Sequence, residues 1–327
     1  MAQLVGIALL CALPCVHGFT ALSSCKASWP AASRVGVPPS ACGAEPGPRN
    51  ALLHSLNRVS ARRGEVIVVK YGGHAMTNDD RAAEFASDMA LLQSLGLRPV
   101  VVHGGGPQIN EMLSRLEVES TFVNGLRVTS PAVMETAEMV LGSLNKKIAS
   151  AINAAGGRAV GLSGKDDKLV SARQKSPDLG LVGQVEDVRT PLLSLLLDEG
   201  IVPVIAPIAT GEAGLSYNVN ADTMAGAVAG ALGASELLLL TDVAGVFDAD
   251  PSAGGKLIPQ LSSDGAQKLI DDGIATGGMI PKLGTAMDAV SRGAGSAVIM
   301  DGRVPHAAIV HLFGPPEEAI GTAVSAA

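Results

Sequence analysis

Two lysines, one aspartate and two glycine turns are the residues of this chain best suited to chemistry. Residues 66–73 read Val-Ile-Val-Val-Lys-Tyr-Gly-Gly, an apolar run ending on Lys70 and then on Gly72 and Gly73. Residues 100–107 read Val-Val-Val-His-Gly-Gly-Gly-Pro, so a second apolar run ends on Gly104, Gly105 and Gly106. Each has the form of a parallel strand that opens into a bare-backbone turn ahead of a helix. Glycine lets backbone N–H groups approach an anion closely, and a helix N-terminus adds about half a positive charge. With a lysine at the mouth of the first strand, the pair describes a site for phosphate and carboxylate groups. The same residues also suit the tight βα turns that any doubly wound fold contains.

Three further segments carry polar groups at element ends. Asn218-Val-Asn-Ala-Asp222 lies where a strand hands over to a helix, which places Asp222 at or near an N-cap, as a plain cap or as a functional carboxylate. Thr241-Asp-Val-Ala-Gly-Val-Phe247 follows a buried strand and suits a nucleotide at the carboxyl edge of a sheet. Thr276-Gly-Gly-Met-Ile-Pro-Lys282 puts a lysine just inside a helix started by Pro281. A lysine in the first turn opposes the helix dipole, and an anion in front of it would resolve the conflict.

Other chemistries lack support. Gly-x-Ser-x-Gly is absent, no cysteine lies beyond Cys42, and no His/Asp/Glu spacing describes a zinc site. His103, before the glycine triplet, reads as a strand-end packing or hydrogen-bonding residue more than as a base. The triplet is not Gly-x-Gly-x-x-Gly, and the phosphate loop of NTPases is missing.

The elements that must position these residues alternate between strand and helix from about residue 51. Asn78 caps a helix running to Leu95, Pro107 sits at a first helical position, and Pro131 opens a helix to Asn153. Residues 159–189 read as strands and hairpins. Helices are expected at 191–199, 222–232, 262–271 and 281–292, and strands at 201–206, 237–241, 297–300 and 309–313. This is an α/β body, with a mainly parallel sheet between two helical layers and an N-terminal and a C-terminal lobe.

Composition agrees. Of 327 residues, 47% are hydrophobic, 17% charged and only 2% aromatic, which suits Val, Leu, Ile and Ala strands sandwiched between helices. The net charge of −7 and the absence of basic runs argue against nucleic-acid binding. No later apolar stretch reaches the ~18 residues of a membrane span. Residues 1–49 differ from the rest. Leu4–Val16 is a short apolar core, so about 1–18 resemble a signal peptide, and 19–49 are rich in Ala, Ser and Pro with no acid before Glu45, like a transit tract. All four cysteines (Cys11, Cys15, Cys25 and Cys42) lie there, so the body holds no thiol. Together these tracts resemble the bipartite leader of algae with complex plastids, and the expected location is the plastid.

Residues 64–324 resemble the amino-acid kinase superfamily and, within it, the acetylglutamate kinase family. The resemblance rests on Lys-Tyr-Gly-Gly at 70–73, His-Gly-Gly-Gly-Pro at 103–107 and Asn-Gly-Leu-Arg-Val at 124–128. It continues with Gly-Leu-Ser-Gly-Lys-Asp at 161–166, Asn-Val-Asn-Ala-Asp at 218–222 and Gly-Gly-Met-Ile-Pro-Lys at 277–282. It implies a three-layer α/β/α sandwich, with an acetylglutamate lobe at about 64–210 and an ATP lobe at about 211–327. The implied reaction moves the γ-phosphoryl group of ATP to the side-chain carboxylate of N-acetyl-L-glutamate. Such a nucleophile is ionised at neutral pH and needs no general base.

By the same resemblance, Lys70 and Lys282 neutralise the transferring group and Asp222 holds both lysines. Gly72, Gly73 and Gly105 donate N–H groups to phosphoryl oxygens. Gly104, Gly105, Arg127 and Asn218 bind the acetylglutamate, with Arg127 gripping its α-carboxylate. Thr241, Asp242, Gly245, Val246, Phe247, Ile274, Ala275 and Thr276 surround the nucleotide, and magnesium rides on its phosphates without a protein cage. Arginine is an implied inhibitor, contacted by Lys256, Glu318 and Gly321. Here the helix candidate Asn50–Val59 lacks the usual aromatic residue, Ala319 replaces a glycine, and His311 stands in place of a glutamate. A hexameric trimer of dimers built through the N-terminal helices, or a plain homodimer, is the implied assembly, and a PII-type signalling protein an implied partner. The alternatives are an aspartate, glutamate or carbamate kinase, or a catalytically silent arginine or nucleotide sensor.

Overall fold

A computed structural model describes residues 48–72, 78–123, 125–249, 254–315 and 320–326. Residues 1–47 of the expected leader, Gly73 and Glu318 lie outside the described residues, while Pro48 and Arg49, the last two of that leader, open α1. The first half holds α1 (Pro48–Ala61), β1 (Val66–Tyr71), α2 (Asp79–Ser94), β2 (Arg98–His103) and α3 (Gly106–Arg115). It continues with β3 (Phe122–Val123), β4 (Leu126–Arg127), α4 (Pro131–Ala154), β5 (Ala159–Ser163), β6 (Val170–Gln174) and β7 (Gly183–Val188). Then follow α5 (Pro191–Asp198), β8 (Val202–Ala206), β9 (Ile208–Thr210), β10 (Ser216–Asn218) and α6 (Ala221–Leu232). The last part is β11 (Glu236–Thr241), β12 (Gln260–Ser262), α7 (Ser263–Asp271), α8 (Met279–Ser291), β13 (Ser296–Asp301), α9 (Ala307–Phe313) and β14 (Thr322–Ser325).

The central sheet runs β12-β14-β13-β11-β1-β2-β8-β5 and is parallel except where β14 meets β13. Its strands are apolar on both faces because helices cover both. Ile67, Val69 and Val101 enter one buried cluster with Phe85, Met89 and Ile152 from α2 and α4. Val68, Val100 and Val102 enter the other, with Met224 and Val228 of α6 and Leu283 of α8. A four-stranded sheet, β10-β9-β6-β7, and the β3–β4 hairpin stand beside the central sheet. This is the three-layer α/β/α sandwich expected from the alternation. Among the described residues no helix is long and apolar enough to cross a membrane.

Two local expectations need correction. Residues 309–313 belong to α9 and not to a strand; Ala307, Ala308, Leu312 and Phe313 are buried on one helical face, a pattern that a short β-branched run disguises. The last strand is β14 instead. Helix α8 starts at Met279, so Pro281 and Lys282 are its third and fourth residues rather than its opening. The cap of α6 is Asn220, with Asp222 two residues further on inside the helix, near the cap as expected. The β3–β4 and β9–β10 pairs were not foreseen, since two- and three-residue strands leave no periodicity to read.

Candidate active site

The two glycine turns touch. Strands β1 and β2 pair in register to Tyr71 opposite His103, and Gly104 N donates to the Tyr71 carbonyl at 2.7 Å. A Cβ on Gly72 would sit 3.1 Å from both Cε and Nζ of Lys70, so the bare backbone at 72 gives the lysine room to fold back over the turn. From there Lys70 Nζ reaches Asp222 Oδ1 at 3.0 Å, with the two side chains only 12% and 18% exposed. Asp222 is available for this because Asn220 caps α6: its Oδ1 accepts from Asp222 N at 2.9 Å and from Thr223 N at 3.1 Å.

Two hollows meet at this pair. A cavity of about 280 Å³ is lined by Lys70, Gly104, Gly105, Arg127, Asn218 and Asp222, with Ile109, Leu141 and Val182 supplying apolar wall. A cleft of about 860 Å³ is lined by Lys282, Lys175, Thr223 and again Asp222. Gly125, Leu126, Asn220 and Asp222 belong to both, so Asp222 stands at the junction. Its carboxylate pairs with Lys70 and not with Lys282, which lines the cleft without a carboxylate partner among the described residues.

Arg127 lines the same cavity and is buried, on the β3–β4 hairpin. One guanidinium nitrogen donates to Ser120 Oγ at 2.8 Å and the other to Asn110 Oδ1 at 2.6 Å, while the group lies 4.7 Å above the Phe122 ring centre. Burial lowers its pKa below the ordinary value, yet a guanidinium stays charged at neutral pH. Asn218 Nδ2 donates to Thr129 Oγ1 at 3.2 Å, and Thr129 Oγ1 donates to the Arg127 carbonyl at 2.9 Å. Arg127 and Asn218 are thus coupled. Asn110, Ser120, Thr129 and Lys175 were not legible in the sequence: they acquire a role only through contacts between distant segments.

The remaining candidates are placed elsewhere. Thr241 ends β11, Val246 N donates to Thr322 Oγ1 at 2.8 Å, and Phe247 pairs with Leu257; Asp242 is exposed. Ile274 and Ala275 donate to the Leu269 carbonyl ahead of α8, with Thr276 next in the chain. Val246 and Ala275 enter one buried cluster, but this nucleotide set lines neither the cavity nor the cleft. A Cβ on Gly245 would meet Leu257 Cδ1 and Thr322 Oγ1, each at 2.7 Å; Lys256 and Gly321 are the residues just before these two in the chain. Among the described residues no group of three His, Cys, Asp or Glu could hold a metal ion.

Chemically, the arrangement offers cations to anionic groups from two sides. Arg127 and Lys70 line the cavity beside the glycine turn, and Lys282 lines the cleft. Asp222, which both hollows share, fixes Lys70. Fixed cations in a half-closed site are worth far more than in water, which suits transfer of a charged group.

Comparison with known proteins agrees. The amino acid kinase family matches residues 65–301. The acetylglutamate kinase of Rhodospirillum centenum is 54% identical over 264 residues, covering 76% of this chain and 85% of that protein. That of Acidiphilium cryptum is 52% identical over 277 residues, covering 80% and 91%. Among solved structures, N-acetylglutamate synthase from Neisseria gonorrhoeae, with coenzyme A and N-acetyl-glutamate, overlays at a TM-score of 0.74 with 23% identity. That overlay covers 86% of this chain and 64% of the longer synthase, and it speaks to the fold alone. With a family match over most of its length and relatives at half identity, this chain belongs to the amino acid kinase family and, within it, to the acetylglutamate kinases.

Proposed function

We propose that this protein transfers the γ-phosphoryl group of ATP to the side-chain carboxylate of N-acetyl-L-glutamate, the acyl-phosphate-forming step of arginine biosynthesis. The observation that carries the reading is the Lys70–Asp222 pair, set between two glycine turns in a cavity that also holds Arg127. Arg127 grips the α-carboxylate of the acceptor with its planar fork, and Asn218 adds a hydrogen bond. The side-chain carboxylate then points to Lys70 and the glycine N–H groups. The triphosphate lies in the cleft, with Lys282 beside the group in flight. An ionised carboxylate attacks the γ-phosphorus as the bond to the bridging oxygen breaks and ADP leaves, so the chemistry asks for position and charge rather than a base. Magnesium would be carried by the nucleotide's phosphates and would neutralise part of their charge.

The test is ATP-dependent hydroxamate formation with N-acetylglutamate, glutamate and aspartate as acceptors. The expected result is turnover of N-acetylglutamate with kcat/KM at least ~100-fold above the other two. Preference for another acceptor would favour a sibling kinase. No turnover with any acceptor, together with nucleotide binding, would favour a silent sensor.

We further infer that arginine inhibits the enzyme, through Lys256, Gly321 and Glu318, and that copies associate through α1. The approach of Leu257 and Thr322, the residues after Lys256 and Gly321, to Gly245 supports the first; exposed leucines on α1 support the second. The composition of residues 1–49 supports a plastid leader.

A further inference from the structure

His103 is fully buried at the end of β2, beside the cavity, and takes no part in the transfer set out above. Its Nδ1 lies 2.8 Å from the Gly104 carbonyl oxygen and its Nε2 3.1 Å from Asn145 Nδ2. A carbonyl only accepts, so Nδ1 carries the proton. Asn145 Nδ2 also donates to the carbonyls of Val204, at 2.8 Å, and Leu162, at 3.1 Å. Those carbonyls orient the amide with its nitrogen towards the ring; its two hydrogens are shared among the three acceptors, and Nε2 is one of them. A second proton on Nε2 would set donor against donor. The ring is held as the neutral Nδ1–H tautomer, and burial keeps its pKa down at about 4.

The bonded carbonyl gives this lock a use. The peptide joining Gly104 to Gly105 is planar and trans, so its C=O and N–H point in opposite directions. With the C=O turned to the buried ring, the N–H of Gly105 faces away from it, on the side of the cavity that both glycines line. Among the described residues no backbone acceptor takes that N–H; the first bond of α3 runs from Ile109 N to Gly105 O. A peptide between two glycines has little intrinsic preference for one orientation. Flipped, it would offer an anion a carbonyl oxygen in place of a donor.

We propose that His103 is a positioning residue: its Nδ1–H holds the Gly104 carbonyl and thereby aims the Gly105 N–H at the anion in the cavity. The proposal rests on the phosphoryl-transfer reading for its catalytic consequence, but the tautomer it requires is measurable without any substrate.

Two substitutions separate the two bonds of the ring. In His103→Asn the side-chain amide reaches about the position of Nδ1 and still donates to Gly104. In His103→Gln it reaches the position of Nε2, meets Asn145 and leaves the Gly104 carbonyl free. The expected result is a kcat ~10-fold or more lower in His103→Gln and within about 3-fold of the parent in His103→Asn, with both KM values little changed. In the unsubstituted protein, the imidazole ¹⁵N signals lost in His103→Gln should show a protonated Nδ1 and a bare Nε2. They should not titrate between about pH 5 and 9. Parent-like kcat in His103→Gln, equal losses in both variants, or a ring that titrates near its ordinary ~6.5 would overturn the proposal. A parent protein that phosphorylates nothing would instead refute the kinase reading, and the tautomer measurement would still stand.

Discussion

Lys70 Nζ and Asp222 Oδ1, 3.0 Å apart, join the end of β1 to the first turn of α6 at the point where cavity and cleft meet. A largely buried ion pair is weak evidence for stability, because desolvation offsets much of the attraction. Its place in the fold argues that it serves the site: Asp222 fixes a flexible lysine stem over Gly72.

Two kinds of substitution at this pair should behave differently. Lys70→Ala removes charge from the transition state and should lower kcat ~100-fold or more, about 2.7 kcal/mol. Asp222→Asn should lower kcat while nucleotide binding, read by calorimetry, stays near normal. The double variant should be far less impaired than the sum of the two, since both act through one ammonium group. Additive effects would mean that Asp222 acts independently of Lys70.

Arg127→Lys keeps the positive charge and loses the planar fork that Asn110 and Ser120 orient. KM for N-acetylglutamate should rise ~10-fold or more, about 1.4 kcal/mol, with KM for ATP unchanged. Steady-state kinetics with each substrate varied in turn decides it; a selective effect on ATP would place the arginine in the wrong compartment.

Stability should depend on pH through His103. Burial depresses its folded pKa to about 4, so the unfolded chain binds the extra proton first as pH falls. The contribution is fully present above the unfolded value of ~6.5 and is lost progressively towards the folded one, on the order of 3 kcal/mol in all. Denaturant titrations of parent and His103→Gln should therefore converge as pH drops from about 7 to 4. Parallel curves over that window would show that this histidine is not the group responsible.

Helix α1 is held to the body by Arg58, which donates to the Gly314 and His311 carbonyls, and by Arg62, 2.8 Å from Glu236. Its Leu52, Leu53 and Leu56 remain 55–61% exposed. A stripe of leucines on a fixed helix fits a second copy of the same helix. Replacing Leu53 and Leu56 with serine should reduce the mass found by analytical ultracentrifugation to that of a smaller assembly. Unchanged mass would place the interface elsewhere.

If residues 1–47 serve targeting, as their composition suggests, they should be dispensable for chemistry. A chain beginning at Pro48 lacks every cysteine and should retain kcat and KM with and without reductant. Activity that needs residues 19–47 would contradict the targeting reading.

Much of this protein was written in local patterns. Continuous apolar runs such as Val66–Val69 and Val100–Val102 announce strands buried on both faces, and glycines after them announce the turns, because those signals depend only on neighbours in the chain. Lys70, Asp222 and Lys282 were recognisable for the same reason, each in a short segment of distinctive type and spacing, whereas Arg127 was marked only by the family resemblance of residues 124–128. What the chain could not state locally was who meets whom. That Asn220 takes the capping role and leaves Asp222 to Lys70, that Asn110 and Ser120 hold Arg127, and that Asn145 fixes the tautomer of His103 all depend on segments up to 152 residues apart in sequence, as in the Lys70–Asp222 pair. Hydrogen-bond geometry selects such partners over a few ångströms, and only tertiary packing brings them within that range.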